Sequence, residues 1–348
     1  MKIGKYRVTS AFTIVELLVV IVVIGVLVSI TVVSYSGITN RAVIANAQSD
    51  LSNASKKLKI YQLNNQDENY PIDKATAIAA KLIPDDTNYS YYVDNTTNPK
   101  TFCISYINQD SNIAYSINQD GSPIPAPYCP FLYLDASNPN SYPGSGTTWY
   151  DLSGLSNNAT LTNGPTFTPD SGGAFSFDGV NDYARATGNS INAGSWDYEV
   201  ATFSIWIKPS STAPTTDQNI ITIETAFEIA INNRDNGFSS VKYASVPWAW
   251  RGIVSNDITN DTWNNLVYVH TLYNRKIYVN GNVVFTSSDT GGLWLGTATY
   301  PYMTIGARYS GTTANTLGQI NDVRVYGRAL SSDEVLQNFN NTKGRYGI

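Results

Sequence analysis

The sequence has little charge, one histidine and two cysteines. Of its 348 residues only 14% are charged, and the formal net charge is −5. Without a basic surplus the chain is excluded as a nucleic-acid binder held by phosphate contacts. The single histidine, His270, argues against His-rich metal sites and His-based triads. Two cysteines are too few for a four-cysteine zinc or iron–sulfur site, and an aromatic content of 12% excludes a disordered chain.

The apolar residues are concentrated near the start of the chain. Residues 12–33 read FTIVELLVVIVVIGVLVSITVV and carry one charge, Glu16. A helix of this length spans about 33 Å, which is enough for the hydrocarbon core of a bilayer. Residues 1–11 carry three basic side chains and no acid. This predicts a cytoplasmic leader, a membrane span over residues 12–33 and an external remainder.

Two simpler interpretations are a secretory signal peptide and a plain membrane anchor. A signal peptide has an apolar region of about 7–15 residues before a small-residue cleavage site. Residues 12–33 are longer and have no such site close behind them. A plain anchor explains the length but not Glu16, because a carboxylate inside an apolar span costs about 2.5–3.5 kcal/mol. Glu16 therefore indicates a function that requires a partner.

This arrangement resembles the N-terminus of type IV pilins and of the related pseudopilins. In that family a prepilin peptidase cuts after a short basic leader, and the new N-terminal residue is methylated. The resemblance implies cleavage between Ala11 and Phe12, N-methylation of Phe12, and Glu16 as the fifth mature residue. Ala11 departs from the glycine that is usual there. A Glu16 carboxylate that meets the Phe12 amine of a neighbouring subunit would set the packing register in a filament.

The predicted helix continues past the apolar run to cover residues 12–62, and residues 63–130 follow as a small head. Apolar residues at three- and four-residue steps predict a helix face that a sheet must cover. Short strand-like patches between turn residues supply that sheet. The apolar stripe consists of Ile44, Ala47, Leu51, Ala54, Leu58 and Tyr61.

Two cysteines and a proline-rich stretch mark the end of the head. An even pair in an extracytoplasmic protein predicts a disulfide between Cys103 and Cys129, with two free buried thiols as the alternative. A disulfide at this place also resembles pilin heads. Four prolines within residues 123–130 predict an extended, semi-rigid spacer and a domain boundary.

Residues 131–348 differ in composition, with many Gly, Asn, Ser, Thr, Tyr and Trp residues in short alternating runs. Asn280-Gly281 between two apolar runs predicts a two-residue hairpin. A helix is predicted only over residues 331–339, with Ser331 as N-cap and Glu334 completing a capping box. The expected fold is a pilin-like α+β module, a long helix plus a small antiparallel sheet, followed by an all-β sandwich.

This segment resembles the laminin G-like, concanavalin A-like jelly-roll family, and the resemblance covers nearly all of residues 131–348. It implies two antiparallel sheets packed face to face. The matching pieces, in the order of the family, are LDASNPNSYPGSGTTWYDLSG, FSFDGVNDY, FSIWIKP, WNNLVYV, IYVNGNVV, MTIGA and GQINDVRVYGRALSSDEV.

Candidate ligand-binding residues follow from the same segment. Trp248 and Trp250 lie two residues apart beside Arg251, which predicts an aromatic face for a sugar or protein ligand. The alternative is that both tryptophans fill the core, as we predict for His270. A glycosidase needs two carboxylates on one strand face. No convincing strand carries such a pair, so we expect no enzyme activity.

Members of the jelly-roll family often hold a structural calcium ion, so the resemblance implies a calcium site. Asp322, near the last strand, is the best match, with backbone carbonyls near Asp178 as co-ligands. Asp182 is a weaker candidate. The alternative is that all three are ordinary carboxylates at turns and strand ends.

Together these features predict a type IV pilin-like subunit, minor or at the tip, that displays a lectin-like domain for adhesion to a glycan or protein ligand. The alternatives are a pseudopilin of a secretion or DNA-uptake system and a surface enzyme that acts on polysaccharide. The expected partners are other pilin subunits, the prepilin peptidase and the external ligand. The expected location is the inner membrane as a single-pass protein, and the extracellular filament after assembly.

Overall fold

The computed structural model describes most of the chain in two compact units, Met1–Ser49 and Asp50–Ile348. The described residues are 14–95, 100–108, 113–119, 122–124, 128–153, 155–187, 200–213, 216–223, 227–234, 238–245, 249–271, 274–287, 302–308 and 313–348.

The described part of the first unit is the N-terminal part of one long helix, α1 (Ile14–Asn64). No proline interrupts it, as predicted. The apolar side chains of residues 18–24 each expose between 50% and 61% of their surface. In the described part of the chain, no helix combines the length and the apolar character needed to cross a membrane. Ala11, Phe12 and the Glu16 side chain lie outside the described residues.

The second unit begins with the rest of α1, a short helix α2 (Lys74–Ala79) and a three-stranded sheet. The strands β1 (Tyr89–Asp94), β2 (Thr101–Asn108) and β3 (Ile113–Asn118) are antiparallel and lie in that order. Three residues of the predicted apolar stripe, Leu51, Ala54 and Leu58, are buried in a cluster with this sheet, whereas Tyr61 is half-buried. Leu51 and Leu58 are fully buried in one cluster with Phe102, Ile104 and Ile117.

Residues 131–348 form a sandwich of two antiparallel sheets, as predicted. The first sheet has the order β17-β16-β15-β10-β19-β8-β7, with β4 also paired to β19. Its strands are β4 (Leu132–Asp135), β7 (Thr166–Thr168), β8 (Ala174–Asp178), β10 (Ala201–Pro209), β15 (Asn264–His270), β16 (Arg275–Val279), β17 (Asn282–Ser287) and β19 (Leu317–Tyr326).

The second sheet has the order β14-β13-β12-β11-β18-β9-β6-β5. Its strands are β5 (Thr148–Trp149), β6 (Ala159–Thr162), β9 (Tyr183–Thr187), β11 (Asp217–Ile223), β12 (Phe227–Arg234), β13 (Phe238–Ser245), β14 (Ala249–Thr259) and β18 (Tyr302–Ile305).

The core of the sandwich lies between the sheets and is built from alternate residues of each strand. Phe203 and Ile205 of the first sheet meet Ile221, Phe227 and Ile229 of the second, all buried in one cluster. Each such side chain contributes about 1.5–3 kcal/mol by burial. Because alternate residues point inward, the residues between them form the outer face of each sheet.

The local signals of the sequence are present where they were predicted. Asn280 and Gly281 adopt φ values of 51° and 79° in the turn between β16 and β17. The terminal helix α3 (Ser332–Thr342) begins at the N-cap Ser331, and Glu334 closes the capping box. A one-turn 3-10 helix, Lys343–Tyr346, follows it.

The head sheet packs onto the sandwich within the second unit. Ile107, Ala114 and Tyr128 share a buried cluster with residues of β15, β16, β19 and α3. The predicted disulfide joins Cys103 of β2 to Cys129, with their Cα atoms 5.9 Å apart. Part of the proline-rich stretch, residues 125–127, lies outside the described residues. Residues 50–348 therefore form a single compact body.

Candidate functional site

A row of polar residues crosses the outer face of the second sheet. Directly opposed residues of neighbouring antiparallel strands point to the same face. Thr222 of β11 is opposite Glu228 of β12 on one side and Thr304 of β18 on the other. Thr304 is in turn opposite Arg185 of β9, which is opposite Thr160 of β6. We call these five residues the polar row.

The polar row runs from solvent into the protein. Thr160 is exposed and Arg185 is half-buried, whereas Thr304, Thr222 and Glu228 expose 2% or less of their surface. Neighbouring strands are about 4.8 Å apart, so Arg185 and Glu228, three strands apart, are separated by about 14 Å at the backbone.

Glu228 is a fully buried carboxylate with one ionic partner among the described residues. Its Oε1 accepts a hydrogen bond from Nε of Arg308 at 2.6 Å, and the Arg308 side chain is 30% exposed. The second oxygen, Oε2, is buried and accepts no hydrogen bond. An ionised oxygen in that position requires a donor, because an unsatisfied buried polar atom costs about 1–3 kcal/mol.

Arg185 stacks on two tyrosines of the same face. Its Cζ lies 4.1 Å from the ring centre of Tyr302 and 5.1 Å from that of Tyr183. Such cation–π contacts hold the guanidinium flat without using its N–H donors. The Nε and Nη2 atoms of Arg185 are buried and donate to no acceptor. In the described part of the chain, no carboxylate pairs with Arg185.

A fourth unsatisfied atom, on Asn219, lies next to the polar row. The side-chain amide of Asn219 donates from Nδ2 to Oγ1 of Thr222 at 3.0 Å. Its Oδ1 is buried and accepts no hydrogen bond. Like the two nitrogen atoms of Arg185, the acceptor atoms of Glu228 and Asn219 are closed to solvent in the described structure.

The aromatic candidates from the sequence fall at one edge of this sheet. Trp250 and Arg251 lie on β14, the edge strand, and their side chains lie outside the described residues. Trp248 also lies outside them. By register Trp250 is opposite Ala244, and Ala244 is opposite Glu228. Trp250 therefore occupies the backbone position that continues the polar row.

Asp322, the leading calcium candidate from the sequence, is held in an ion pair. Both oxygens of Asp322 accept hydrogen bonds from Arg324, from Nε at 2.9 Å and from Nη2 at 2.6 Å. Asp322 is opposite Asp135 in β4, which Arg345 binds at 2.9 Å. A carboxylate held in an arginine fork has two of its lone pairs occupied, and calcium at Asp322 stays a prediction.

Asp178 and Asp182 have structural roles in one turn. Oδ1 of Asp178 accepts the backbone N–H groups of Val180 and Asn181, and Oδ2 of Asp182 accepts that of Asp178. Among the described residues, no group of three or more histidine, cysteine or acidic side chains is arranged around a common metal position. The carboxylates of Asp178 and Asp182 both accept backbone hydrogen bonds within one turn, and calcium binding near them stays a prediction.

Residues 178–336 match the family model of the concanavalin A-like lectin/glucanases superfamily. This range contains β9 to β19 and most of the polar row. The sandwich is a laminin G-like, concanavalin A-like domain. None of the curated proteins compared with the chain matches it.

Solved structures similar to the chain include receptor-binding parts of bacterial toxins. One is the botulinum neurotoxin serotype D binding domain, with 17% identity, a TM-score of 0.45, and coverage of 61% of this chain and 51% of that one. A second is the serotype D ligand binding domain in complex with N-acetylneuraminic acid, with 17% identity and a TM-score of 0.46. The match covers 61% of this chain and 50% of that one. A third is the botulinum neurotoxin type G receptor binding domain, with 14% identity and a TM-score of 0.43. The match covers 61% of this chain and 51% of that one. The chain spans about half the length of these structures.

The polar row of the laminin G-like domain was missed by the sequence analysis. The alternation in Tyr183–Thr187 and Phe227–Arg234 does indicate strands with one polar face each. It does not indicate that β9 and β12 belong to one sheet with β18 and β11 between them. The pairing of Thr304 with Arg185, 119 positions apart, is set by the fold and by no local signal.

Proposed function

We propose that this protein is a saccharide-binding surface protein, and that the solvent-facing end of the polar row, at Thr160 and Arg185, lies in the binding site. The observation that carries the proposal is the match of residues 178–336 to the concanavalin A-like lectin/glucanases family model. Thr160 is exposed and Arg185 is half-buried, whereas Thr222 and Glu228 expose 2% or less of their surface and lie out of reach of a ligand. Hydroxyl groups of a sugar can donate to and accept from polar side chains of this kind.

Binding rather than hydrolysis is supported by the chemistry of the row. Hydrolysis of a glycosidic bond uses two carboxylates about 5–9.5 Å apart. The polar row contains one carboxylate, and Arg308 holds that carboxylate at 2.6 Å. A carboxylate paired in this way suits a permanent acceptor better than a proton donor.

We further propose that the domain is displayed by a pilin-like N-terminal helix. Support comes from the sequence around Phe12 and Glu16 and from the unbroken helix that begins at Ile14. The exposed apolar side chains of residues 18–24 also suit burial against a membrane or against other subunits. A pseudopilin of a secretion or DNA-uptake system is the second candidate, because it would use the same helix.

A glycan array tests the saccharide proposal. The full-length chain in detergent is expected to be retained by a subset of saccharides, and Arg185→Gln is expected to weaken that retention at least about tenfold. Arg328→Gln is the matched control, because Arg328 also stacks on a tyrosine but lies outside the row and is paired with Glu334. A folded chain that no saccharide retains would refute the proposal, as would equal retention of both variants.

A further inference from the structure

The tripeptide Asn-x-Ser/Thr, in which x is not proline, is the acceptor motif for N-linked glycans in exported proteins. The motif has little specificity on its own, so the structure around each asparagine is what separates one copy from another. The chain contains six copies, whose asparagines are Asn53, Asn88, Asn95, Asn158, Asn260 and Asn340.

Three of these asparagines lie where the motif cannot be read. Asn53 is inside α1 and Asn340 is inside α3. In a helix, a side chain and the hydroxyl two positions later point to different sides, so an enzyme cannot contact both together. Asn260 exposes 6% of its surface and is out of reach.

Two more asparagines have their amides bound within the fold. Asn95 donates from Nδ2 to the carbonyl oxygen of Tyr70 and accepts the backbone N–H of Tyr70 at Oδ1, both at 3.0 Å. Oδ1 of Asn158 accepts the backbone N–H of Asp151 at 2.9 Å. A transfer reaction at either amide would first have to break these hydrogen bonds.

Asn88 is placed differently. It lies in the turn that leads into β1, the edge strand of the head sheet, and Ser90 of β1 supplies the hydroxyl of the motif. The backbone N–H groups of Asn88 and Tyr89 donate to Oδ1 and to the carbonyl oxygen of Asp86, at 2.8 and 3.2 Å. In the part of the chain that the structure describes, the half-buried side-chain amide of Asn88 has no hydrogen bond. Nδ2 is therefore available without the loss of a contact.

The surroundings of Asn88 also suit a glycan. Asp86, two positions before it, is exposed, and the other five asparagines have no acidic residue at that position. An acid there is part of the acceptor motif that bacterial oligosaccharyltransferases use. A cleft of about 480 Å³ opens beside Asn88, between the head and α3, with Ser90, Tyr128 and Gln337 in its wall. Pockets of about 300–1,000 Å³ hold small ligands, so the first sugars have room.

We propose that Asn88 is an N-glycosylation site. An oligosaccharyltransferase joins Nδ2 of Asn88 to C1 of the first sugar of a glycan that is carried on a polyprenyl diphosphate. The bond between C1 and the phosphate oxygen breaks, the polyprenyl diphosphate leaves with the electron pair, and one proton passes from Nδ2 to a base of the enzyme.

This inference goes beyond the saccharide-binding proposal and rests only on the external location that we propose for the protein. The disulfide between Cys103 and Cys129 supports that location, because such bonds form and persist in oxidising compartments.

The experiment is mass spectrometry of the full-length chain purified from the cells that make it. Trypsin cleaves after Lys81 and Lys100 and releases residues 82–100 as one peptide, which carries both Asn88 and Asn95. Electron-transfer fragmentation then assigns a glycan to one of the two. The expected result is a glycan on Asn88 and an unmodified Asn95, which serves as the internal control.

Variants of the motif test whether the modification is N-linked at this site. Ser90→Ala removes the hydroxyl of the motif and is expected to abolish the glycan, whereas Ser90→Thr keeps the hydroxyl and is expected to retain it. Asn88→Gln is expected to abolish the glycan as well, and Asn95→Gln is expected to leave it at the wild-type level. The two Ser90 variants keep the test valid where Asn88→Gln does not fold.

An unmodified Asn88 in the chain from its own cells would overturn the inference. A glycan on another of the six asparagines instead, or one that persists on Asn88 in Ser90→Ala, would overturn it too. If the glycan array retains the chain and Asn88 is unmodified, this inference alone fails. If Asn88 carries a glycan and no saccharide is retained, the saccharide proposal alone fails.

Discussion

His270 is a neutral histidine in the interior of the first sheet. It is fully buried on β15, and its Nδ1 accepts a hydrogen bond from Nε of Arg275 at 3.3 Å. The hydroxyl of Tyr268 lies 3.3 Å from the same nitrogen. Burial and the positive charge of Arg275 lower the pKa of His270 to about 3. The structure thus agrees with the sequence prediction of a core histidine.

We expect His270 to remain uncharged down to at least about pH 4. Because it is the single histidine of the chain, proton NMR follows its ring without assignment ambiguity. The ring resonances are expected not to shift between pH 8 and pH 5. The unfolded chain takes up a proton near pH 6.5, so the stability linked to His270 is complete above that value and is lost as the pH falls toward 3. A titration midpoint near 6.5 in the folded protein would contradict this prediction.

The segment that joins the head to the sandwich is held by hydrogen bonds from its backbone to strands β2 and β3 of the head. The backbone N–H groups of Tyr128 and Cys129 donate to the buried hydroxyls of Ser105 and Ser116 at 3.0 and 3.2 Å. Both residues have positive φ values, 66° and 44°, which non-glycine residues adopt at a cost. The Cys103–Cys129 disulfide and the packing of the Tyr128 side chain secure this conformation.

Removal of the disulfide is therefore expected to loosen this connection. The double variant Cys103→Ser with Cys129→Ser is expected to unfold with a free energy lower by about 2–4 kcal/mol, because the bond closes a loop of 26 positions. Denaturant unfolding with and without reductant measures the difference. A reductant should destabilise the wild-type chain but not the double variant, and an unchanged midpoint in both would refute the prediction.

Elements defined by local chemistry could be predicted from the sequence, and contacts between distant strands could not. The Asn280-Gly281 turn and the Ser331 capping box each depend on residues within four positions of one another. The polar row depends on strand order, which periodicity does not encode. The ion pair of Asp322 lies between these two cases. Arg324 is two positions away and therefore on the same face of the strand, so the sequence did indicate this partner.

At the scale of the whole molecule, the two units differ in where their apolar side chains lie. The N-terminal helix exposes a run of aliphatic side chains, whereas the compact body of residues 50–348 buries its apolar clusters between elements. In the proposed function, a membrane or other copies of the chain cover this helix surface. Subunits that assemble through the helix would carry the proposed saccharide-binding domain with them.

The prediction at this scale concerns Glu16. In a filament of pilin-like subunits, its carboxylate would pair with the Phe12 amine of a neighbour, and loss of one partner would leave the other charge buried. Glu16→Ala is therefore expected to leave cleavage after Ala11 intact but to reduce incorporation into sheared filaments at least about tenfold. Cleavage is read from the mass of the N-terminal peptide, and incorporation from immunoblots of filament and membrane fractions.

A control on the same helix separates this role from a general loss of helix stability. Lys59 is an exposed charge in the polar half of α1, so Lys59→Ala should be cleaved and incorporated like the wild-type chain. Glu16→Gln keeps the size and polarity of the side chain and should fail like Glu16→Ala, because the pairing requires the charge. Normal filament content in both Glu16 variants, or a native N-terminus at Met1, would leave the chain as a membrane-tethered sandwich rather than a filament subunit.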